Sequence, residues 1–169
     1  MIYPIVKFGN PVLEKPAEPV NVFDDELKKL IDDMFESMYA AKGVGLAAPQ
    51  IGISRRIAVV DVTFKEDPNA KLVLINPEII HKEGKHQQSE GCLSIPEFRE
   101  NVTRAKVATI RAQDLTGKFF ERTGDDLLAR AFQHETDHVN GKLYLSHLSA
   151  LKRDLIKRKI RKMIKAGEW

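Results

Sequence analysis

Cysteine is almost absent from this chain. Cys92 stands alone, which excludes an internal disulfide and suits a reducing compartment. Long apolar runs are missing too: nothing approaches membrane-spanning length, and the opening Met1-Ile2-Tyr3-Pro4-Ile5-Val6-Lys7 lacks the apolar core and small-residue cleavage site of a signal peptide. These absences predict a cytoplasmic protein with no membrane partner. Charge of one sign is also lacking, since Lys+Arg 27 against Asp+Glu 24 leaves a net charge of only +3. The molecule as a whole therefore does not carry the field of a nucleic-acid binder, and any basic patch must be local. There is no internal repeat, low-complexity stretch or linker. What is present, 169 residues of which 43% are hydrophobic, predicts one domain over residues 1–169 with room for a core.

Leu27, Leu30, Ile31, Met34, Phe35 and Met38 follow helical spacing between Asp24 as N-cap and Gly43 as stop. The glycines and small residues of Gly43-Val44-Gly45-Leu46-Ala47-Ala48-Pro49-Gln50 fit neither periodicity and read as a loop whose backbone approaches something closely. Ile57 to Val62, Leu72 to Ile75 and Val107 to Ala112 read as short strands, the last turning through Asp114-Leu115-Thr116-Gly117 into Phe119-Phe120. A second helix is predicted from about Asp126 to Asn140, with Gly141 as its stop, and a last one from about Ser149 to Lys165. The expected fold is α+β, with mostly antiparallel sheets around a central helix and further helices near both termini.

That central helix carries His134-Glu135-Thr136-Asp137-His138. Positions four apart stack on one helical face, so both imidazoles can reach one ion while Glu135 sits beside it without ligating. Leu127, Ala131, His134 and His138 continue one stripe, which predicts histidines pointing into the core and in need of a shared partner. A catalytic site of the zinc type wants three protein ligands and one open position. The extended protease motif would take its third ligand at the place of Tyr144, which cannot serve, and the first downstream glutamate is Glu168 at the extreme terminus. Asp154 lies in a Lys-rich helix, where an ion pair is its simpler use. Upstream, Cys92 in Glu90-Gly91-Cys92-Leu93-Ser94 would complete a Cys-His-His set, although a lone cysteine is as a rule a small buried hydrophobe. A soft thiolate beside two imidazoles suits iron as well as zinc.

Three segments, Gly43 to Gln50, Glu90 to Ser94 and Gln133 to His138, match in order and separation the signature motifs of the peptide deformylase family, which the chain resembles over nearly its whole length. Departures are small: Glu14 where arginine is frequent, Val139 where leucine is usual, and Asp126 where glycine commonly opens the active-site helix. The resemblance implies Cys92, His134 and His138 as metal ligands and Glu135 as the acid/base. It implies Gln50 and the Leu93 N–H as oxyanion donors, and a peptide cleft formed by Val44, Gly45, Glu90, Gly91 and Arg99. Val44, Leu127 and Ala131 are candidates for the pocket that takes methionine. The implied reaction removes the N-formyl group from the N-terminal formyl-methionine of nascent polypeptides, releasing formate. Fe(2+) is the implied native ion, with Zn(2+) or Ni(2+) able to replace it.

Rival readings are a metallopeptidase built on the bare histidine motif, another N-acyl amidase, and a metal-stabilised binding module without catalysis. The last has no use for Glu135 and Gln50. On the C-terminal helix, Leu155, Ile156, Ile160, Met163 and Ile164 share one side, while Lys157, Arg158, Arg161, Lys162 and Lys165 gather opposite. The sequence thus predicts a packed face and a cationic stripe able to meet the phosphate-rich ribosome.

Overall fold

A computed structural model describes the whole chain, Met1–Trp169. Helix α1 (Asp25–Ala40) begins where the Asp24 side chain accepts from Leu27 N–H at 3.0 Å, and Leu27, Ile31, Met34, Phe35 and Met38 are buried along its inner face. Lys42, rather than the anticipated stop Gly43, takes the left-handed backbone after it, with φ 59°.

The segment read as a loop holds a short strand, β1 (Gly45–Ala47), and a 3₁₀ turn over Ala48–Ile51. Three residues are too few to show a period. The strand is defined by pairing with β2 (Ile57–Val60), which is buried throughout and ends before the predicted Val62. Strand β3 (Leu72–Glu83) runs well past the predicted Ile75, and irregularities at Ile75/Glu78 and Ile79/His81 break the alternation that would have revealed it.

Strands β4 (His86–Cys92) and β5 (Ile95–Arg104) are absent from the sequence reading. They are mostly polar, so neither offers the apolar alternation that marks a half-buried strand. The hairpin from β6 (Val107–Gln113) to β7 (Phe119–Asp125) turns at the predicted place, with Gly117 at φ 86° and its N–H donating to Asp114 O at 3.0 Å. Two antiparallel sheets result, ordered β1-β2-β3-β6-β7 and β4-β5.

Helix α2 (Asp126–Val139) packs on the larger sheet, touching β1, β2, β3, β6 and β7, and Ala131, Phe132 and Val139 join the apolar layer beneath it. It is the central helix of an α+β fold. Its first residue, Asp126, adopts φ 48°, the left-handed region where glycine is unstrained and where the family departure falls. Leu127 departs from the expected buried stripe: it is 45% exposed and lies on the wall of a cleft, while Leu128 and Ala129 of the same turn pack inward.

Helix α3 (Ala150–Lys165) starts with Ser149 accepting from Lys152 N–H. Only part of its predicted apolar side packs. Ile156 and Ile160 are buried and Met163 is half-buried, whereas Leu155 and Ile164 stay about half exposed because the helix meets the core along a narrow line. No helix is long and apolar enough to cross a membrane.

Gly141 closes α2 at φ 78°, and a Cβ there would lie 2.7 Å from the carbonyl carbon of Lys15 and 2.8 Å from Pro16 N. Gly141→Ala combines a left-handed backbone penalty with overpacking against main chain, and is expected to cost about 2–4 kcal/mol. A lower urea midpoint with an unchanged slope checks this.

Candidate metal centre

One turn of α2 separates His134 from His138 and brings their Nε2 atoms to 3.1 Å, while Cys92 Sγ, at the end of β4, lies 3.3 Å from His138 Nε2. The three ligand atoms fall within 4.8 Å of one another. A tetrahedral ion of the zinc type, with bonds of about 2.0–2.3 Å, sets its donors roughly 3.3–3.6 Å apart, so the residues present fit one ion. Two imidazole nitrogens this close, with the thiol beside them, make one converging donor set that a single cation would satisfy. Burial disfavours charge on His134, but Glu135, Cys92 and Glu90 outweigh it and raise its pKa, whereas burial and the neighbouring His134 push that of His138 down.

Glu135 lies beside this centre, 3% exposed, and its Oε1 has no partner. Burial lifts its carboxyl to about 7, with His134 opposing the shift. Space for it is made by Gly45, where a Cβ would stand 2.6 Å from Glu135 Oε2. Gln50 is buried, and its orientation is set from behind: its Oε1 accepts from Ala47 N–H at 3.0 Å, which turns Nε2 toward Cys92 Sγ at 3.6 Å and Ser94 Oγ at 3.3 Å. Leu93 and Ser94 form the tight turn joining β4 to β5, and the Leu93 N–H has no backbone acceptor within the protein.

Val44, Gly45, Gly91, Arg99, Leu127 and Ala131 all line a cleft of about 530 Å³ above these groups. Gly91 leaves room for Arg99, whose Nη1 would sit 2.8 Å from a Cβ at that position, and Arg99 donates to Ser89 Oγ and O. The cleft wall also includes Pro96, Glu97 and Phe98 of β5, which the undetected strand concealed from the sequence reading.

Glu90 also lines the cleft, where the sequence reading put it, but its carboxylate is turned away, being 6% exposed with both oxygens taken. Arg104 donates to Oε1 and Oε2 at 2.7 Å each, Arg130 to Oε1 at 2.8 Å, and His134 Nδ1 lies 2.7 Å from Oε2. Arg104 and Arg130 were missed because single arginines in a polar strand and on a helix read as surface charges. The available signal was Glu90 itself, two residues from Cys92 and so able to face the same helix.

Burial penalises the Glu90 carboxylate, but the hydrogen bonds from Arg104 and His134 outweigh it and hold its pKa well below the usual range. A depressed folded pKa contributes stability above the unfolded value near 4.5, which is lost as pH falls toward the folded one. In metal-free protein the stability gap between wild type and Glu90→Gln is therefore expected to be full at about pH 6 and to narrow below about pH 4.5. Urea unfolding across that range tests this; a gap independent of pH would remove the ion pairs from the account.

Comparison with known proteins agrees with the geometry. The family model for polypeptide deformylase matches residues 2–154. A peptide deformylase of Acidobacterium capsulatum is 63% identical over 169 residues, covering 100% of this chain and 99% of that protein. Among solved structures, a peptide deformylase from Legionella pneumophila superposes with a TM-score of 0.90 at 46% identity, covering 99% of this chain and 98% of the other. The peptide deformylase from Thermus thermophilus gives 0.90 at 39% identity, with coverages of 99% and 98%. Likeness that runs through every element of the fold, at identities this high, leaves one assignment: the chain belongs to the polypeptide deformylase family.

Proposed function

We propose that this chain hydrolyses the N-formyl group at the amino terminus of nascent polypeptides, with Cys92, His134 and His138 holding one divalent ion and Glu135 moving the proton. The observation that carries the reading is Glu135, a buried carboxyl poised near 7 with one oxygen unpartnered, beside three convergent soft donors. An ion held there supplies Lewis acidity to the formyl oxygen and lowers the pKa of a water.

The chain's own residues do the rest. Glu135 accepts a proton from the attacking water and delivers it to the departing amine, a transfer well served by a group whose pKa lies near neutrality. Gln50 Nε2 and the Leu93 N–H are fixed donors on the side where charge develops on the formyl oxygen. Val44, Gly45 and Gly91 offer backbone to an extended peptide, a contact indifferent to side chains, and Leu127 and Ala131 with Val44 give an apolar seat for the methionine. Arg99, exposed at the cleft edge, is placed to steer the peptide chain.

Fe(2+) is the proposed native ion, since thiolate and imidazole donors suit it, and Zn(2+) or Ni(2+) are the replacements expected after handling in air. Anaerobic purification with metal analysis identifies it. The proposed location is the cytoplasm, where formylated nascent chains appear.

Glu135→Gln is expected to retain the ion and to lose hydrolysis of a formyl-methionyl peptide by roughly a hundredfold to ten-thousandfold, because an amide cannot accept the proton. Near-normal turnover would remove Glu135 from the mechanism. An internal amide in the same peptide should survive; its cleavage would favour the metallopeptidase reading.

The exposed cations of α3 support a contact with ribosomal RNA or protein. Arg158, Arg161, Lys162 and Lys165 face solvent beside the half-exposed Leu155. Reversing the charge of Arg158, Arg161 and Lys162 is expected to reduce ribosome co-sedimentation at low salt and to leave hydrolysis of a short formyl peptide intact. Unchanged co-sedimentation would make α3 a solubilising face.

A further inference from the structure

We propose that Arg104 is a positioning residue of the metal centre: its guanidinium, locked between Glu90 and Asp137, sets the distance between the strand that carries Cys92 and the helix that carries His134 and His138. The proposal rests on the reading that these three side chains hold one ion.

The two halves of the centre belong to different layers. His134 and His138 ride on α2, which packs on the five-stranded sheet, and Cys92 ends β4 of the two-stranded sheet. No backbone hydrogen bond joins α2 to β4 or β5. Their separation is set by side chains: Arg130 of α2 donates to Glu90 Oε1 and to His86 O of β4 at 2.8 Å each, and a closed ring through Arg104 ties the turn that carries the histidines to the same carboxylate.

The ring runs from His134 Nδ1 to Glu90 on β4 at 2.7 Å, from Glu90 to Arg104 on β5 through two contacts of 2.7 Å, and from Arg104 Nη1 back to Asp137 on α2 at 2.9 Å. His134 and Asp137 are neighbours on the helix surface, so the ring grips one turn of α2 by two points. Glu90 and Cys92 are two residues apart on β4, and their contacts show that both face α2. Fixing Glu90 therefore fixes the thiolate. Arg104 is suited to this because its planar fork matches a carboxylate with two parallel hydrogen bonds and keeps a third donor for Asp137, which a lysine ammonium on a flexible stem cannot reproduce. Its side chain is 3% exposed and never reaches the cleft. Asp137 Oδ2, 20% exposed, is also 2.8 Å from His147 Nε2, which anchors the outer end of the ring to the segment leading into α3.

A residue that only stabilised the fold would change the unfolding midpoint and leave the metal geometry alone. A positioning residue changes both the affinity for the ion and its ligand field. The test reconstitutes wild type, Arg104→Lys and Asp137→Asn with Co(II) under anaerobic conditions. It then records the d–d bands, the thiolate-to-metal charge-transfer band and the dissociation constant by chelator competition, with circular dichroism as the check on folding.

Arg104→Lys is expected to bind Co(II) about 10–100-fold more weakly with shifted d–d bands, and to lower kcat on a formyl-methionyl peptide while KM stays within about twofold. A folded Arg104→Lys with the wild-type spectrum and affinity overturns the proposal. Should that variant fail to fold, Asp137→Asn decides, because it releases only the outer end of the ring. Its affinity is expected to fall about three- to tenfold, and an unchanged value overturns the proposal. Wild type that binds Co(II) without a thiolate band would defeat the three-ligand reading itself, and the proposal with it.

Discussion

Two imidazole nitrogens held 3.1 Å apart in a buried site, with a thiol beside them, are a donor set that one cation would satisfy together. Everything around the centre follows from supplying a cation there and keeping the three donors aimed at it. The helix provides two donors without extra conformational constraint, since residues four apart share a face. The third must come from another layer of the fold, and the structure devotes four charged groups to holding it: the buried Glu90, Arg104 and Arg130, and the partly exposed Asp137. Such a network adds little net stability, because desolvation nearly cancels the attraction, but it penalises any arrangement in which one member loses its partner. What it secures is geometry.

The burial around the ligands also prepares Glu135. Its neighbours on α2 are arranged to hold an ion, and burial raises its own carboxyl, whose Oε1 has no partner, to about 7. A glutamate in a solvated position would be fully ionised and a poor donor to a departing amine. The close approach of β1 to it depends on Gly45 having no side chain. The small residues of the first motif thus serve the acid/base as much as the peptide.

Much of this was legible in the sequence because helices advertise themselves. The caps Asp24 and Ser149, the turn at Gly117 and the stop at Gly141 fall where the residues say they should, and the histidine pair follows from spacing alone. The two-stranded sheet was not legible, since β4 reads His-Gln-Gln-Ser-Glu-Gly-Cys and its burial comes from contacts with a distant helix rather than from its own pattern. Losing that sheet hid Arg104 and with it the buried pairing of the Glu90 carboxylate. For Leu127 the two readings separate: helical spacing alone would bury it, whereas the structure leaves it 45% exposed on the cleft, as the pocket reading has it.

The difference between the two layers bears on how the ion is held. Helix α2 is anchored by a dense apolar layer that includes Phe132, Val139, Ala58 and Ile110. Beside Glu90, its neighbour Cys92, only half-buried, rests on the edge of a separate cluster with Ile95, Tyr144 and Leu145. Cys92 is itself only a partly buried member of that cluster, and the charge pairs of Glu90 add to what packing supplies there. Loosening the arm would move one ligand while the other two stayed in register on their helix. The centre should then lose its ion through the thiolate side first, with the histidine pair retaining its geometry because it depends on packing that the arm does not share.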